Sequence, residues 1–315
     1  MKVAFHCQHL GIAGTEVATF DYAFYNQQLL HNESIIVAKR NPQYDLPLIF
    51  DKFKEHFKVI QYDDFKEVEK ILGNNKVDIF YALKSGEYDG IVSKNHKTCV
   101  HVVFKVFQPH GKVYAYISEW LSKEVAFGLH PCVPHMINLP KCDDNLREIL
   151  NISKDAIVYG RYGSYNEFNI WFVNNSIKKI LDKNKNVWFL FANTPKFYEH
   201  ERIIYLDPIY DLDEKVKFIN TCDAMIHARS RGETFGIACG EFSSLNKPVI
   251  TYGASPEKAH IDMLGNKGLY YYSERDLDFL FNNFIKDETK DWDAYSFDYS
   301  PKIVMTKFKR VFIEK

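Results

Sequence analysis

No run of apolar residues in this 315-residue chain approaches the ~20 needed to cross a bilayer as a helix. The opening residues, MKVAFHCQHLG, lack the h-region of a secretory signal. No transmembrane segment and a cytoplasmic location are therefore expected. The six cysteines (Cys7, Cys99, Cys132, Cys142, Cys222 and Cys239) are scattered and form no C-x-x-C pair, which suits free thiols in a reducing compartment. Charge of one sign is also missing. Forty basic residues face 41 acidic ones, a net charge of −1 that gives no pull toward nucleic acid. The first glycine loop holds only Gly11 and Gly14, not G-x-G-x-x-G, so a nicotinamide dinucleotide is disfavoured. No D-x-D is read on a strand-end loop, and the pairs Asp63-Asp64 and Asp143-Asp144 sit in polar, solvated context; no metal site and no cofactor are expected. Internal repeats and low-complexity tracts are absent.

What is present fits a soluble globular protein, with 46% hydrophobic and 26% charged residues. A soft prior of about 150 residues per domain suggests two domains. The 25 Phe and 20 Tyr can fill a large core or stack on bases and sugars, and their number does not decide between the two.

Short apolar runs alternate with helical or polar material. KVAFHC (2–7) opens the chain, followed by a glycine loop and a helical pattern over 16–30. Further strands are expected at 34–38, 57–60, 77–82, 98–103 and 113–118. Residues 132–144, with two prolines and little periodicity, read as a linker, closed by a short helix over 145–150. A second series runs through 156–159, 186–192, 203–206, 223–227, 249–251 and 267–272, and helices are expected over 215–220, 276–284 and 300–313. Strands alternating with helices predict parallel sheets covered on both faces, with ligands at the carboxyl ends of the strands. Lys84, His101 and Ser118 stand at such ends. Lys84 reads as solvated surface, His110 as a turn residue, and His101, inside an apolar run, has a plain reading as a satisfied core histidine.

The stretch HARSRGETFGIACGEFSSLNKPVIT (227–251) organises the second half. It reads as a loop over 227–233, a helix over 235–244 broken by Asn246-Lys247-Pro248, and a short buried strand. Glu233 precedes the helix and Glu241 lies two turns inside it. A helix N-terminus suits phosphate, and carboxylates accept hydrogen bonds from sugar hydroxyls, so the pair points to a nucleotide sugar. The plain alternative is an amphipathic helix with two surface glutamates.

Glu233-x7-Glu241, with Phe235-Gly236 after the first glutamate and Lys247-Pro248-Val249 after the second, resembles the signature of retaining GT-B glycosyltransferases, most closely glycosyltransferase family 4. The resemblance implies an α/β GT-B fold, two Rossmann-like domains with parallel sheets facing a central cleft. It places an acceptor domain at 1–133, a linker at 134–150, a donor domain at 151–297 and a helix at 298–315 returning to the first domain. It implies transfer of a sugar from a nucleotide diphosphate sugar, UDP- or GDP-linked, to a hydroxyl of a glycan or glycoconjugate, with retained configuration and no metal. Glu233 would lie beside the sugar, with His101 facing it from the first domain, and Glu241 would hold the ribose. Arg161, in the turn GRYGSYNE (160–167), would hold the diphosphate, with Thr234, Phe235, Gly236, Gly11 and Gly14 in donor contact and Tyr210 near the base. One departure stands out. The lysine that usually follows six residues after this arginine is Glu167 here, and Arg229 is the expected substitute. Two other readings are a non-catalytic nucleotide-sugar-binding protein of this fold and a nucleotide-sugar epimerase.

Overall fold

The computed structural model describes residues 1–11, 14–287 and 289–315. Ile12 and Ala13, in the expected first glycine loop, lie outside the described residues. The chain folds as two compact units, one of Met1–Met136 with Asp298–Lys315 and a second of Ile137–Phe297. The stretch expected as a linker is thus divided between them after Met136.

In the first unit six parallel strands, β1 (Lys2–Cys7), β2 (Glu33–Lys39), β3 (Lys58–Tyr62), β4 (Ile79–Lys84), β5 (Lys97–Val102) and β6 (Val113–Tyr116), lie in the order 3-2-1-4-5-6. Helices α1 (Gly14–Gln28), α2 (Pro47–His56), α3 (Lys66–Asn74) and α4 (Glu119–Ala126) connect or follow them. β1 and β4 are apolar without alternation because both faces of an interior parallel strand are covered. Residues 117–118 do not extend β6 as expected; Ser118 caps α4, accepting from the Leu121 N–H at 3.1 Å.

The second unit repeats the plan. It has β7 (Ile157–Arg161), α5 (Trp171–Lys183), β8 (Val187–Ala192), β9 (Ile203–Leu206), α6 (Leu212–Thr221) and β10 (Ala224–His227). β11 (Gly232–Glu233), α7 (Ile237–Ser244), β12 (Val249–Tyr252), β13 (Glu257–Lys258), α8 (Ala259–Leu264), β14 (Gly268–Tyr271) and α9 (Glu274–Asn283) follow. The main sheet is ordered β14-β12-β10-β7-β8-β9, and all its pairings are parallel. Numbered within the unit that is again 3-2-1-4-5-6, the doubly wound order, which reverses between β7 and β10. Aromatic residues build this core: Tyr159 stacks on Phe189 at 5.3 Å and meets Phe281 at 4.8 Å, all three buried. The chain ends in the first unit with α10 (Pro301–Phe308) and a π-helical turn at Lys309–Ile313.

Two expectations differ in shape. Residues 145–150 form turns rather than a short helix. Glu233, expected in a loop, lies in the two-residue β11, which pairs in parallel with β13. That pairing needs Gly232, whose φ is +80° and where a Cβ would come within 1.9 Å of the Glu257 carbonyl oxygen.

Close packing makes one position of β7 testable. A Cβ on Gly160 would stand 2.2 Å from the Cys222 sulfur and 3.2 Å from Phe242. Gly160→Ala is expected to destabilise the second unit by about 1–3 kcal/mol in urea unfolding. Adding Cys222→Ala should recover part of that loss; a double variant no more stable than Gly160→Ala would contradict the packing.

Candidate functional site

The strand order of the second sheet reverses between β7 and β10, and doubly wound sheets bind ligands at the carboxyl ends of the strands at such a point. β7 ends on Arg161 and β10 on His227, so the fold brings together the two loops in which the sequence reading placed most of its candidates.

Arg161 is buried and well tied. Its Nη1 donates to the Asn193 carbonyl at 2.9 Å and to Thr194 Oγ1 at 2.6 Å, and its Nη2 to the Ser164 carbonyl at 2.6 Å. Burial pulls its pKa down to about 10, against the charges of Glu233 and Glu167, so it stays cationic at neutral pH. Three of its N–H groups thus fix the loops after β7 and β8, and the charge remains.

Glu233 is held from two sides. Its Oε1 lies 3.2 Å from His227 Nε2, and its Oε2 accepts from Arg229 Nη1 at 2.6 Å. Burial works to raise its pKa, but the hydrogen bond from His227 and the Arg229 charge win and take it down to about 2. At neutral pH Glu233 is a carboxylate, suited to stabilise positive charge and not to supply a proton. Arg229 also donates from Nε to Glu167 Oε2 at 2.9 Å. Glu167 therefore does not stand as a lone negative charge. It is paired with a guanidinium that reaches Glu233 as well.

Thr234 and Phe235 follow, both buried, with the Phe235 ring edge-on to Tyr295 at 6.0 Å. Gly236 then turns the chain with φ +88°, where a Cβ would crowd His260 Cβ at 3.1 Å and Glu233 Cγ at 3.3 Å. It is the N-cap of α7, and no side chain caps this end. The first-turn N–H groups and the positive end of the helix dipole are thus available to an anion.

Glu241, on α7, is 5% exposed. Its Oε2 accepts a short hydrogen bond from the Tyr162 hydroxyl, and its Oε1 lies 2.8 Å from Lys215 Nζ. Neither Tyr162 nor Lys215 was singled out from sequence. Tyr162 directly follows Arg161, which is the only signal it offers; Lys215 looks like any lysine of an amphipathic helix.

The other candidates lie elsewhere. Tyr210, 40% exposed, sits in the loop before α6. Sequence reasoning also passed over Asp211-Leu212-Asp213, a D-x-D where that loop enters α6. Asp211 is spent as the α6 cap, accepting from the Glu214 N–H at 3.0 Å. Among the described residues no group of three or more His, Cys, Asp or Glu is placed to hold a metal, and no helix is long and apolar enough to cross a membrane.

In the first unit Gly11 packs against His9 and Tyr44, and Gly14 opens α1. His101 is fully buried on β5, with Nδ1 2.6 Å from the Tyr81 hydroxyl and Nε2 2.8 Å from the Val133 carbonyl. Burial takes its pKa down to about 3. Lys84, expected on the solvated surface, is instead 5% exposed, paired with Asp89 and 3.2 Å from His110 Nε2. The correction has a simple cause: Lys84 ends β4, an interior strand, and an ammonium buried there requires partners.

No family model matches the sequence, and no curated protein matches it. Solved structures do. Anabaena HepE in complex with UDP-glucose superposes with a TM-score of 0.70 at 14% identity, covering 99% of this chain and 95% of that one. A glycosyltransferase from Rickettsia africae ESF-5 gives 0.72 at 12% identity, covering 100% and 99%. WaaG, a glycosyltransferase involved in lipopolysaccharide biosynthesis, gives 0.65 at 12% identity, covering 99% and 100%. At these identities the likeness is one of fold, over essentially the whole chain. The protein has the α/β GT-B fold of these glycosyltransferases, with a six-stranded parallel sheet in each of its two units.

Proposed function

We propose that the protein is a retaining glycosyltransferase that moves a sugar from a UDP- or GDP-sugar to a hydroxyl of a glycan or glycoconjugate. One observation carries the reading: the Glu233 carboxylate is clamped by Arg229 and His227 beside the uncapped N-terminus of α7, at the switch point of the sheet. The HepE structure holding UDP-glucose supports a nucleotide sugar as the ligand class.

In this account the diphosphate lies against the α7 N-terminus, with Arg229 and the buried charge of Arg161 offsetting the negative charge that grows on the leaving group. Glu233 faces the sugar and stabilises positive charge developing at its ring. Glu241 takes the ribose hydroxyls, its orientation set by Tyr162 and Lys215. Thr234 and Gly236 shape the donor pocket, Phe235 anchors it, and Tyr210 stacks on the base. His101 is given no chemical step, because both of its ring nitrogens are bonded in the core. Charge compensation rests on protein groups, so added metal is not required.

Two outcomes are expected. Glu233→Gln should lower the rate of sugar transfer, or of slow donor hydrolysis, by about 100-fold or more, the scale of removing one preorganised electrostatic group. A variant with the wild-type rate would remove Glu233 from the chemistry. Glu241→Ala should weaken donor binding about tenfold by calorimetry, a loss of ~1.4 kcal/mol, and leave turnover at saturating donor within about threefold. The opposite split, intact affinity with lost turnover, would contradict the ribose role. An epimerase would release or interconvert the sugar with no acceptor-dependent product, and a non-catalytic protein would bind donor without turnover.

A further inference from the structure

Behind Glu233 and its clamp His227 lie two polar side chains, Thr251 and His260, that the proposed transfer does not use. His227 ends β10, and the strand register sets it directly beside Thr251 of β12. His227 Nδ1 is 2.8 Å from Thr251 Oγ1, and the same oxygen is 3.0 Å from His260 Nε2 at the start of α8. The two imidazoles lie 4.9 Å apart, and Thr251 and His260 are fully buried. Two histidines and a threonine have therefore been placed in the core in line with one oxygen of Glu233.

The direction of every hydrogen bond in this line follows from its end. An ionised carboxylate only accepts, so His227 Nε2 must carry a proton. In a neutral imidazole Nδ1 then has only a lone pair, and Thr251 must turn its hydroxyl hydrogen toward it. The threonine oxygen is left to accept, and His260 must donate from Nε2. Burial keeps His260 neutral, its pKa drawn down to about 3, so it has one ring proton to place. The other groups around His227 are engaged as well. Glu233 already pairs with Arg229, Arg229 also pairs with Glu167, and the Tyr271 hydroxyl donates to the His227 carbonyl at 2.9 Å. Reversing one hydroxyl would set a bare imidazole nitrogen against a carboxylate oxygen.

We propose that Thr251 and His260 are positioning residues that lock His227 in its Nε2–H tautomer and so aim a fixed donor at Glu233. His260 serves the site a second time, since its Cβ lies against Gly236 at the N-terminus of α7. The catalytic consequence rests on the role given to Glu233 above; the tautomer itself does not.

Nitrogen NMR of the histidine rings in the full-length protein at neutral pH separates the two, because protonated and bare ring nitrogens have distinct shifts. His227→Gln and His260→Gln assign the signals. The expected wild-type result is a single proton on Nε2 of both His227 and His260. Thr251→Val should release His227 into mixed tautomers, and Thr251→Ser, which keeps the hydroxyl, should restore the wild-type pattern. With a donor that the wild type turns over, Thr251→Val should lower kcat about tenfold with KM for the donor within twofold, and Thr251→Ser should recover most of it. A His227 protonated on Nδ1 or on both nitrogens in the wild type would overturn the proposal, as would a tautomer that ignores Thr251→Val. Unchanged kcat in Thr251→Val would remove its positioning role. A wild type that turns over no donor would count against the transferase reading while the NMR still decides the tautomer.

Discussion

Arg229 and its two carboxylates carry the site. With Glu167 on Nε and Glu233 on Nη1, the guanidinium is gripped along two of its edges, which fixes its plane as no single ion pair would. Three partly exposed charged groups in one geometry are worth more than an isolated surface pair, whose contribution is typically under about 1 kcal/mol. The arrangement also gives Glu167, where the family resemblance leads one to expect lysine, a cationic partner. Arg229 offsets the charge of Glu167 while it also holds Glu233, and Arg161 supplies a second buried positive charge nearby.

Topology decides which residues can meet. Both units use the same strand order, and in the second the reversal between β7 and β10 puts Arg161 and His227 at adjacent strand ends. The register between β10 and β12 then sets Thr251 beside His227, and the parallel pairing of β11 with β13 pins Glu233 at a fixed height above them. Gly232 is required by the close approach of the Glu257 carbonyl, and Gly236 by its positive φ, on either side of that glutamate. The carboxylate is accordingly oriented by backbone and by side chains at once.

Much of this was legible in the chain. Strands such as β1, β4 and β8 stand out because interior parallel strands are largely apolar, and the Glu233-x7-Glu241 spacing singles out the two glutamates of the candidate site. Strand ends moved by a residue or two, since an apolar residue reads alike inside a strand and just beyond it. What the sequence conceals is long-range pairing. Nothing in Lys215 announces a bond to Glu241, and nothing in Thr251 announces one to two histidines, because both depend on register and helix packing. Lys84 misled for the reverse reason: a charged residue reads as solvent-facing until the strand it ends is seen to lie inside the sheet, with Asp89 waiting beside it.

The proposed role of Arg229, held by Glu167, as the cation of a diphosphate site can be measured by a double-variant cycle on nucleoside diphosphate affinity. Calorimetry on the wild type, Arg229→Gln, Glu167→Gln and the double variant would supply it, with the unphosphorylated nucleoside as control. The account predicts that Arg229→Gln weakens diphosphate binding at least tenfold and leaves the nucleoside unaffected. Glu167→Gln should weaken it less, and the double variant should be no worse than Arg229→Gln, because the glutamate acts through the arginine. Full diphosphate affinity in Arg229→Gln, or strictly additive losses in the double variant, would contradict it.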